Sequence, residues 1–154
     1  VSTPEAAEVL AINALAPFVL NGRLRPLLEA AAAAHGAAFV VNVSAMEGKF
    51  YRYKTPNHPH TNMAKAALNM LSLTSAIGLG QDRIMINAVD TGWVTDMAPG
   101  GVGVLAATHE TQVAPPLDEV DGAARVLDPV FRHVADPSWT ERGCLWKDYK
   151  KSAW

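Results

Sequence analysis

The chain has 154 residues, of which 49% are hydrophobic and 18% charged, with a net charge of −2 and a single cysteine. This size and composition predict one globular domain and argue against a disordered chain. The low net charge, without a dense Lys/Arg cluster, argues against binding to nucleic acid or to an anionic membrane surface. A single cysteine excludes an internal disulfide and a cysteine-based zinc site, and it is typical of a cytoplasmic protein.

Two features bear on targeting. Val1 to Leu10 contains two glutamates and no basic residue, so it lacks the pattern of a signal peptide. No apolar run approaches the length of a membrane span, so we expect no membrane partner.

The first predicted element is a helix. Ser2 and Glu5 have the spacing of a capping box, and apolar residues follow at helical intervals. Pro17 and Asn21-Gly22 interrupt this pattern, which then resumes until a C-terminal cap at His35-Gly36.

Strands and helices alternate in the rest of the sequence. The run Ala38 to Val43 is short and apolar on both faces, so it predicts a buried parallel strand. Next come a helix from about Thr61 to Gly78, a strand from Arg83 to Val89, a helix from Leu117 to Val134 and a strand from Gly143 to Lys147. This order predicts an α/β fold, with about three parallel strands and flanking helices, in one domain over residues 1–154. The Gly- and Pro-rich segment Asp90 to Pro116 is long enough to predict a binding loop.

Polar residues follow the predicted strands where parallel sheets bind ligands, beyond their carboxyl ends. Ser44 comes after the first strand, and Asp90-Thr91-Gly92 comes after the second. Thr61 and Lys65 are i and i+4 on the intervening helix, so they share one helix face. The sequence therefore predicts that a hydroxyl and an ammonium group converge with Ser44 at this edge of the sheet.

Four sequence blocks, in this order, resemble the short-chain dehydrogenase/reductase family. The family carries N-x-x-x-P-F on a helix, a Ser after a strand, Y-x-x-x-K on the next helix, and N-x-x-x-P-G with a following Thr. The matching blocks are Asn13 to Phe18, Ser44, Thr61 to Lys65, and Asn87 to Thr95. The resemblance covers nearly the whole chain and implies the C-terminal half of a Rossmann-type doubly wound parallel sheet. The G-x-x-x-G-x-G turn of the family's dinucleotide-binding first half does not occur before Asn13.

The resemblance implies a role for each matching residue. Ser44 would hydrogen-bond the carbonyl or hydroxyl group of a substrate, and Asn13 would hold a water in a proton relay. Lys65 would bind the nicotinamide ribose of NAD or NADP and lower the pKa of the proton donor. The other implied cofactor contacts are Thr91, Gly92, Val94 and Thr95.

The family's proton donor is a Tyr, whereas this chain has Thr61. A phenol titrates at about 10 and responds to a neighbouring ammonium, but an aliphatic hydroxyl is a far weaker acid on a shorter side chain. Candidate substitutes are His60, Tyr51 and Tyr53, although His60 is rotated about 100° from Thr61 around the helix. A structural alternative for Thr61 is the N-cap of its helix.

Structural roles are open for the other site residues as well. Ser44 could simply end a strand, Lys65 could be a solvated helix residue, and Asn13 could be a buried amide bonded to the backbone. His58 and His60 could suggest a metal site, but no carboxylate or thiol pattern accompanies them.

Two functions compete. The first is an NAD(P)-dependent oxidoreductase for a small alcohol or carbonyl substrate, either impaired or completed by a separate N-terminal half. The second is a non-catalytic relative that acts through association. The resemblance implies a homo-oligomer through the two long helices that contain Asn13 and Lys65. The apolar strand Phe39 to Val43 would also be a sheet edge, which another subunit or a partner fragment should cover.

Overall fold

The computed structural model of the chain describes residues 1–51, 53–54, 56–94 and 115–154. The helices are α1 (Thr3–Leu10), α2 (Ala16–His35), α3 (Pro59–Gln81) and α4 (Glu119–Ala135). The strands are β1 (Ala38–Ser44), β2 (Ile84–Asp90), β3 (Leu145–Lys147) and β4 (Lys150–Ser152). Short helical turns cover Ala11–Leu15, which is π-helical, and Met46–Gly48, which is 3₁₀.

The four strands form one sheet in the order β1-β2-β3-β4. β1, β2 and β3 are parallel to one another, which confirms the predicted α/β class and the three parallel strands. β4 pairs antiparallel with β3 and was not predicted. It forms because Asp148 and Tyr149 both adopt positive φ, at 48° and 63°, as a two-residue hairpin turn requires.

The predicted interruptions of the first helix do not occur. α1, the π-helical turn and α2 run on as one helix from Thr3 to His35. Pro17 is tolerated because it falls in the first turn of α2, directly after the wider π-helical turn. Asn21 and Gly22 stay helical.

This continuous helix is also long and apolar enough to cross a membrane. Over an 18-residue window its mean hydropathy reaches 1.2, and none of that window is buried. By length and composition alone, the expectation that no run reaches this length is therefore wrong. Core helices of globular proteins pass the same test, so length and hydropathy do not identify a membrane segment.

Helices cover both faces of the sheet. The core cluster joins side chains of α2 and α3 to one face of β1 and β2, with Ala32, Ala76, Ile84 and Ile86 at its centre. α4 lies on the opposite face, where the His133 ring packs edge-on against Phe39, with 5.3 Å between ring centroids.

β1 is the terminal strand of the sheet order in the described residues. Its Val43 side chain is 45% exposed, although its neighbours Asn42 and Ser44 are buried. The predicted edge strand is therefore present. Its coverage by another subunit or a partner fragment stays a prediction.

Candidate functional site

The carboxyl ends of β1 and β2 meet at one edge of the sheet, as predicted. Ser44 and Asp90 are the last residues of these strands and are paired in register. Lys65 reaches the same edge from the first half of α3, because its Nζ donates a hydrogen bond to the Val43 carbonyl oxygen at 2.9 Å. The structure thus brings together three of the polar groups that the sequence placed here.

The Lys65 ammonium lies in a partly desolvated position. Burial lowers its pKa below the ordinary value, and the nearby carboxylate of Glu47 opposes this shift without cancelling it. Glu47 lies on the 3₁₀ turn that follows β1. The site therefore holds a carboxylate that the sequence reasoning missed.

The lowered pKa of Lys65 predicts a specific pH dependence of stability. Between that lowered pKa and about 10.4, the unfolded chain binds more protons than the folded chain. The free energy of unfolding, relative to a Lys65→Met variant, should therefore rise with pH through this window and stay flat below it. Urea unfolding of both proteins at a series of pH values measures the difference. A difference that does not change with pH would mean that the ammonium is not desolvated.

Ser44 does not present its hydroxyl to the open side of the edge. Its side chain is buried, with 2% exposure, and its Oγ donates to Oδ1 of Asn69 at 2.5 Å. The amide nitrogen of Asn69 in turn donates to the Gly48 carbonyl oxygen at 3.3 Å. Asn69 therefore ties the end of β1 and the 3₁₀ turn to α3. The role of Ser44 toward a substrate stays a prediction.

A second polar pair lies two residues back along β1. The amide nitrogen of Asn42 donates to Oγ of Ser72 at 2.9 Å, and Ser72 donates to the Leu68 carbonyl oxygen. Sequence reasoning missed this pair together with Asn69. The available signal was periodicity, because Asn42 and Ser44 share one strand face while Asn69 and Ser72 share one helix face.

Thr61 takes part in the start of α3, although not as its N-cap. The cap residue is His58, whose φ of 56° precedes Pro59 in the first turn. Thr61 is the third residue of α3, and its Oγ1 donates to the His58 carbonyl oxygen at 2.8 Å. The predicted N-cap position was wrong because Pro59 fixes the first helical residue two positions earlier. The Thr61 hydroxyl is engaged at the helix start.

The candidate substitute donors are placed differently. The Tyr51 hydroxyl accepts a hydrogen bond from Nζ of Lys49 at 3.1 Å, and the buried Lys49 also donates to Ser152 on β4. These bonds direct Tyr51 toward the C-terminal hairpin. The Tyr53 side chain is 91% exposed.

His60 is the third candidate substitute donor. Its Nδ1 is buried and has no hydrogen-bond partner among the described residues. Its ring centroid lies 6.2 Å from that of His58. Among the residues placed by the structure, no three His, Cys, Asp or Glu side chains are grouped to hold a metal ion.

Asn13 lies in the π-helical turn between α1 and α2. Its side-chain nitrogen donates to the Val9 carbonyl oxygen at 2.9 Å, and the Ala16 N–H reaches back to the Ala11 carbonyl oxygen. Single π-helical turns occur often at functional sites. This bond to Val9 matches the structural alternative for Asn13, an amide bonded to the backbone. A role of Asn13 in a proton relay stays a prediction.

The turn after β2 is shaped by Asp90. One carboxylate oxygen accepts the Gly92 N–H at 2.9 Å, and the other pairs with Nζ of Lys147 at 2.9 Å. Gly92 has a φ of 79°, which favours glycine. Asp90 therefore fixes this turn. Thr91 lies in it at the position where the family motif has Pro. The Thr91 Oγ1 lies 3.5 Å from the Gly92 carbonyl oxygen.

The Val94 side chain packs closely on Gly122 of α4, since a Cβ added at Gly122 would lie only 3.3 Å from it. This contact anchors the end of the turn against α4. Thr95 and most of the predicted binding loop lie outside the described residues. The described edge thus offers an ammonium, a carboxylate and a fixed glycine turn. Such a set can bind the hydroxyls of a polar ligand and stabilise negative charge.

Comparison with known proteins agrees with this fold. A family model described as enoyl-(acyl carrier protein) reductase matches residues 1–126. The uncharacterized protein R665 of Acanthamoeba polyphaga mimivirus is 35% identical over 119 residues, which are 73% of this chain and 24% of that protein.

Solved structures of carbonyl reductases are similar over the whole chain. The carbonyl reductase Sniffer of D. melanogaster has a TM-score of 0.71 at 19% identity, and the match covers 100% of this chain and 59% of the Sniffer chain. The NADPH-bound carbonyl reductase from chicken fatty liver has a TM-score of 0.68 at 22% identity, with the same coverage.

A short-chain dehydrogenase/reductase from Brucella ovis, in complex with a partially ordered NAD, has a TM-score of 0.62 at 21% identity. The match covers 96% of this chain and 53% of the Brucella ovis chain. The chain therefore spans between half and three fifths of these solved relatives and about a quarter of the viral protein. With the family match and the shared fold, the chain belongs to the short-chain dehydrogenase/reductase family.

Proposed function

We propose that the chain forms part of an NAD(P)-dependent oxidoreductase that acts on a small alcohol or carbonyl substrate, with turnover impaired by Thr61. The observation that carries this proposal is the Lys65 ammonium, held at the carboxyl edge on the Val43 carbonyl oxygen. A scaffold without chemistry has no need for a partly desolvated cation there. The single cysteine suits a reducing, cytoplasmic setting for this reaction.

The described residues fit the nicotinamide-ribose end of the cofactor. Lys65 supplies ammonium donors for ribose hydroxyls, and the Gly92 turn, which Asp90 fixes, presents backbone groups at the same edge. When bound, NAD or NADP supplies the hydride transfer. The outer edge of β1 is where a complementing α/β half would pair and provide the phosphate-binding turn.

The test is calorimetric titration with NADH and NADPH. The titrations use this chain alone and this chain with a complementing N-terminal half from a relative. We expect binding that a Lys65→Met substitution weakens at least tenfold, because the ammonium is lost. An Arg83→Met variant is the matched control, since it removes a cation at the opposite end of β2. Absence of binding to every preparation would end the proposal.

A second candidate function is non-catalytic association, and a specific observation favours it. The hydroxyls of Ser44 and Thr61 both donate to protein acceptors, while α2 and α3 expose large apolar side chains. They include Leu15 at the end of the π-helical turn and Phe18 on α2, and Met70 and Ile77 on α3. We propose that this two-helix face packs on the same face of a second copy.

Light scattering tests this association directly. We expect a dimer that an Ile77→Lys substitution converts to a monomer, because a charge would be buried in the interface. The matched control is Phe50→Lys, which places the same charge on an exposed side chain of the loop after β1. Equal effects of the two substitutions, or a monomeric wild-type protein, would exclude this face as the interface.

A further inference from the structure

Lys49 is a buried cation without a carboxylate partner among the residues that the structure describes. It is 1% exposed, and its Nζ bonds to two neutral oxygens, those of Tyr51 at 3.1 Å and Ser152 at 2.5 Å. The lysine ion pairs in that part of the chain involve Lys147 and Lys151 instead. Burying an ammonium group costs free energy unless an opposite charge compensates it, and two hydroxyl groups compensate it only in part. The charge of Lys49 therefore requires an explanation.

The hydrogen-bond pattern turns these three side chains into a set of donors, which we call the Lys49 cluster. An ammonium group has three N–H donors and no acceptor, so the oxygens of Tyr51 and Ser152 both accept from Lys49. The hydroxyl hydrogens therefore point away from Nζ, and the third N–H of Lys49 has no acceptor among the described residues. The two oxygens lie 3.4 Å apart. All three groups can thus donate to a single acceptor placed against the cluster.

The backbone holds the Lys49 cluster in place from both sides. Gly48 packs so closely on α3 that an added Cβ would lie 2.8 Å from the Lys65 carbonyl oxygen. The Lys49 N–H then closes the 3₁₀ turn with a hydrogen bond of 3.1 Å. Ser152 is fixed in register with Leu145 by the pairing of β4 with β3. Donors that are already in position lose little entropy when a ligand binds.

The exposure of the cluster and the number of its donors indicate which ligand it fits. The Tyr51 side chain is 54% exposed and Ser152 is partly exposed, so a ligand can reach both hydroxyl groups. The enclosed ammonium attracts an anion more strongly than it would in water, because the local dielectric constant is lower. Three donors exceed the two oxygens of a carboxylate and suit the larger number of oxygens of a phosphate group.

We propose that the Lys49 cluster binds a phosphate group, which supplies the negative charge that the buried ammonium lacks. Lys49 contributes its charge and an N–H, and Tyr51 and Ser152 each contribute an O–H. Charge-assisted hydrogen bonds of this kind are roughly twice as strong as neutral ones. The site is distinct from the edge at Lys65, since Ser152 lies on β4, at the other end of the sheet order from β1. Its test contains no nicotinamide cofactor, so the outcome is independent of the proposed reaction.

Urea unfolding with inorganic phosphate, or with sodium chloride at equal ionic strength and pH, tests this site. We expect phosphate to raise the urea midpoint of the wild-type chain, because a ligand that binds only the folded state stabilises it. Lys49→Met should abolish the rise, and Ser152→Ala should weaken phosphate binding by roughly fivefold, the effect of one lost hydrogen bond. In chloride alone, Lys49→Met should unfold at the same urea concentration as the wild type or at a higher one, since it buries no charge.

Lys54→Met is the matched control, because it removes a cation from the same loop. Nζ of Lys54 donates to the carbonyl oxygens of Met46 and Glu47, outside the cluster. This variant should keep the full phosphate effect. Equal losses in Lys49→Met and Lys54→Met would indicate a diffuse charge effect and overturn the proposal. A wild-type midpoint that phosphate does not move would overturn it as well, and a Lys49→Met variant destabilised in chloride would then show that the chain itself compensates the ammonium.

Phenyl phosphate, titrated in the same way, separates the two sources of a phosphate group. The ring of an organic phosphate could lie on the exposed aromatic side chains of Phe50 and Tyr51, which are 86% and 54% exposed. Tighter binding of phenyl phosphate than of inorganic phosphate would assign the site to an organic phosphate, and equal binding would assign it to the free ion. Binding of either probe that persists in Lys49→Met would place the phosphate elsewhere and overturn the proposal.

Discussion

Replacing Gly48 with Ala should destabilise the chain by about 2–3 kcal/mol, in the upper part of the range of roughly 1–3 kcal/mol typical of overpacking, because the site cannot relax. An added Cβ would lie 2.6 Å from the Asn69 amide nitrogen and 2.8 Å from both the carbonyl carbon and the oxygen of Lys65. Two of these atoms belong to the backbone of α3, which cannot move aside. The 3₁₀ turn would therefore have to back away from α3 and stretch the Asn69–Gly48 hydrogen bond. Urea unfolding monitored by circular dichroism measures the loss.

Gly78→Ala is the matched control for this substitution. A Cβ at Gly78 meets no atom within 4 Å, and the residue lies inside α3. Alanine should there stabilise the helix by roughly 0.5–1 kcal/mol, because glycine is the poorer helix former. If both substitutions stabilise, or both cost little, the turn does not pack as closely on α3 as the structure shows.

The order of elements and the position of the site could be predicted from the sequence. Parallel strands end at a common edge, so Ser44 and Asp90 had to meet once Ala38 to Val43 and Arg83 to Val89 were identified as strands. The i, i+4 spacing then placed Lys65 near that edge. These inferences need only chain direction and helical periodicity, which composition and spacing determine well.

The directions of the side chains could not be predicted in the same way. Spacing locates the Cα of Ser44, but the direction of its hydroxyl depends on a buried acceptor 25 residues later, Asn69. In the same way, Thr61 bonds backward to His58 because Pro59 sets the start of α3. Such choices depend on which buried polar group lacks a partner, which is decided only when the chain is packed.

Local conformations with positive φ were a second source of error. The strand β4 could not be predicted, because Asp148 and Tyr149 adopt a conformation usually taken by glycine or asparagine. The continuity of α1 and α2 was missed for a different reason, which lies in the helix period. Helical periodicity assumes a uniform turn, whereas the π-helical turn around Asn13 adds a residue before Pro17.

Asn69→Ala should cost about 3 kcal/mol, because it leaves two buried groups without their partner. The Ser44 hydroxyl loses its acceptor and the Gly48 carbonyl oxygen loses its donor, and both of these belong to Asn69, which is 4% exposed. Each unsatisfied buried group costs roughly 1–3 kcal/mol. Ser44→Ala should cost less, since the Asn69 amide nitrogen keeps its bond to Gly48. The double variant should cost less than the sum of the two, as expected for groups in direct contact.

This cycle also bears on the chemistry of the site. A coupling between Ser44 and Asn69 of 1 kcal/mol or more, an order expected for a buried hydrogen bond, would show that the hydroxyl is committed to the fold. Additive effects would instead mean that Ser44 is free to turn toward a ligand, as its match to the family motif implies. Thr74→Ala is the matched control, because its exposed hydroxyl donates only within α3 and should contribute little. The free energy of unfolding of Asn69 and Ser44 variants thus decides whether this edge keeps a substrate-binding hydroxyl.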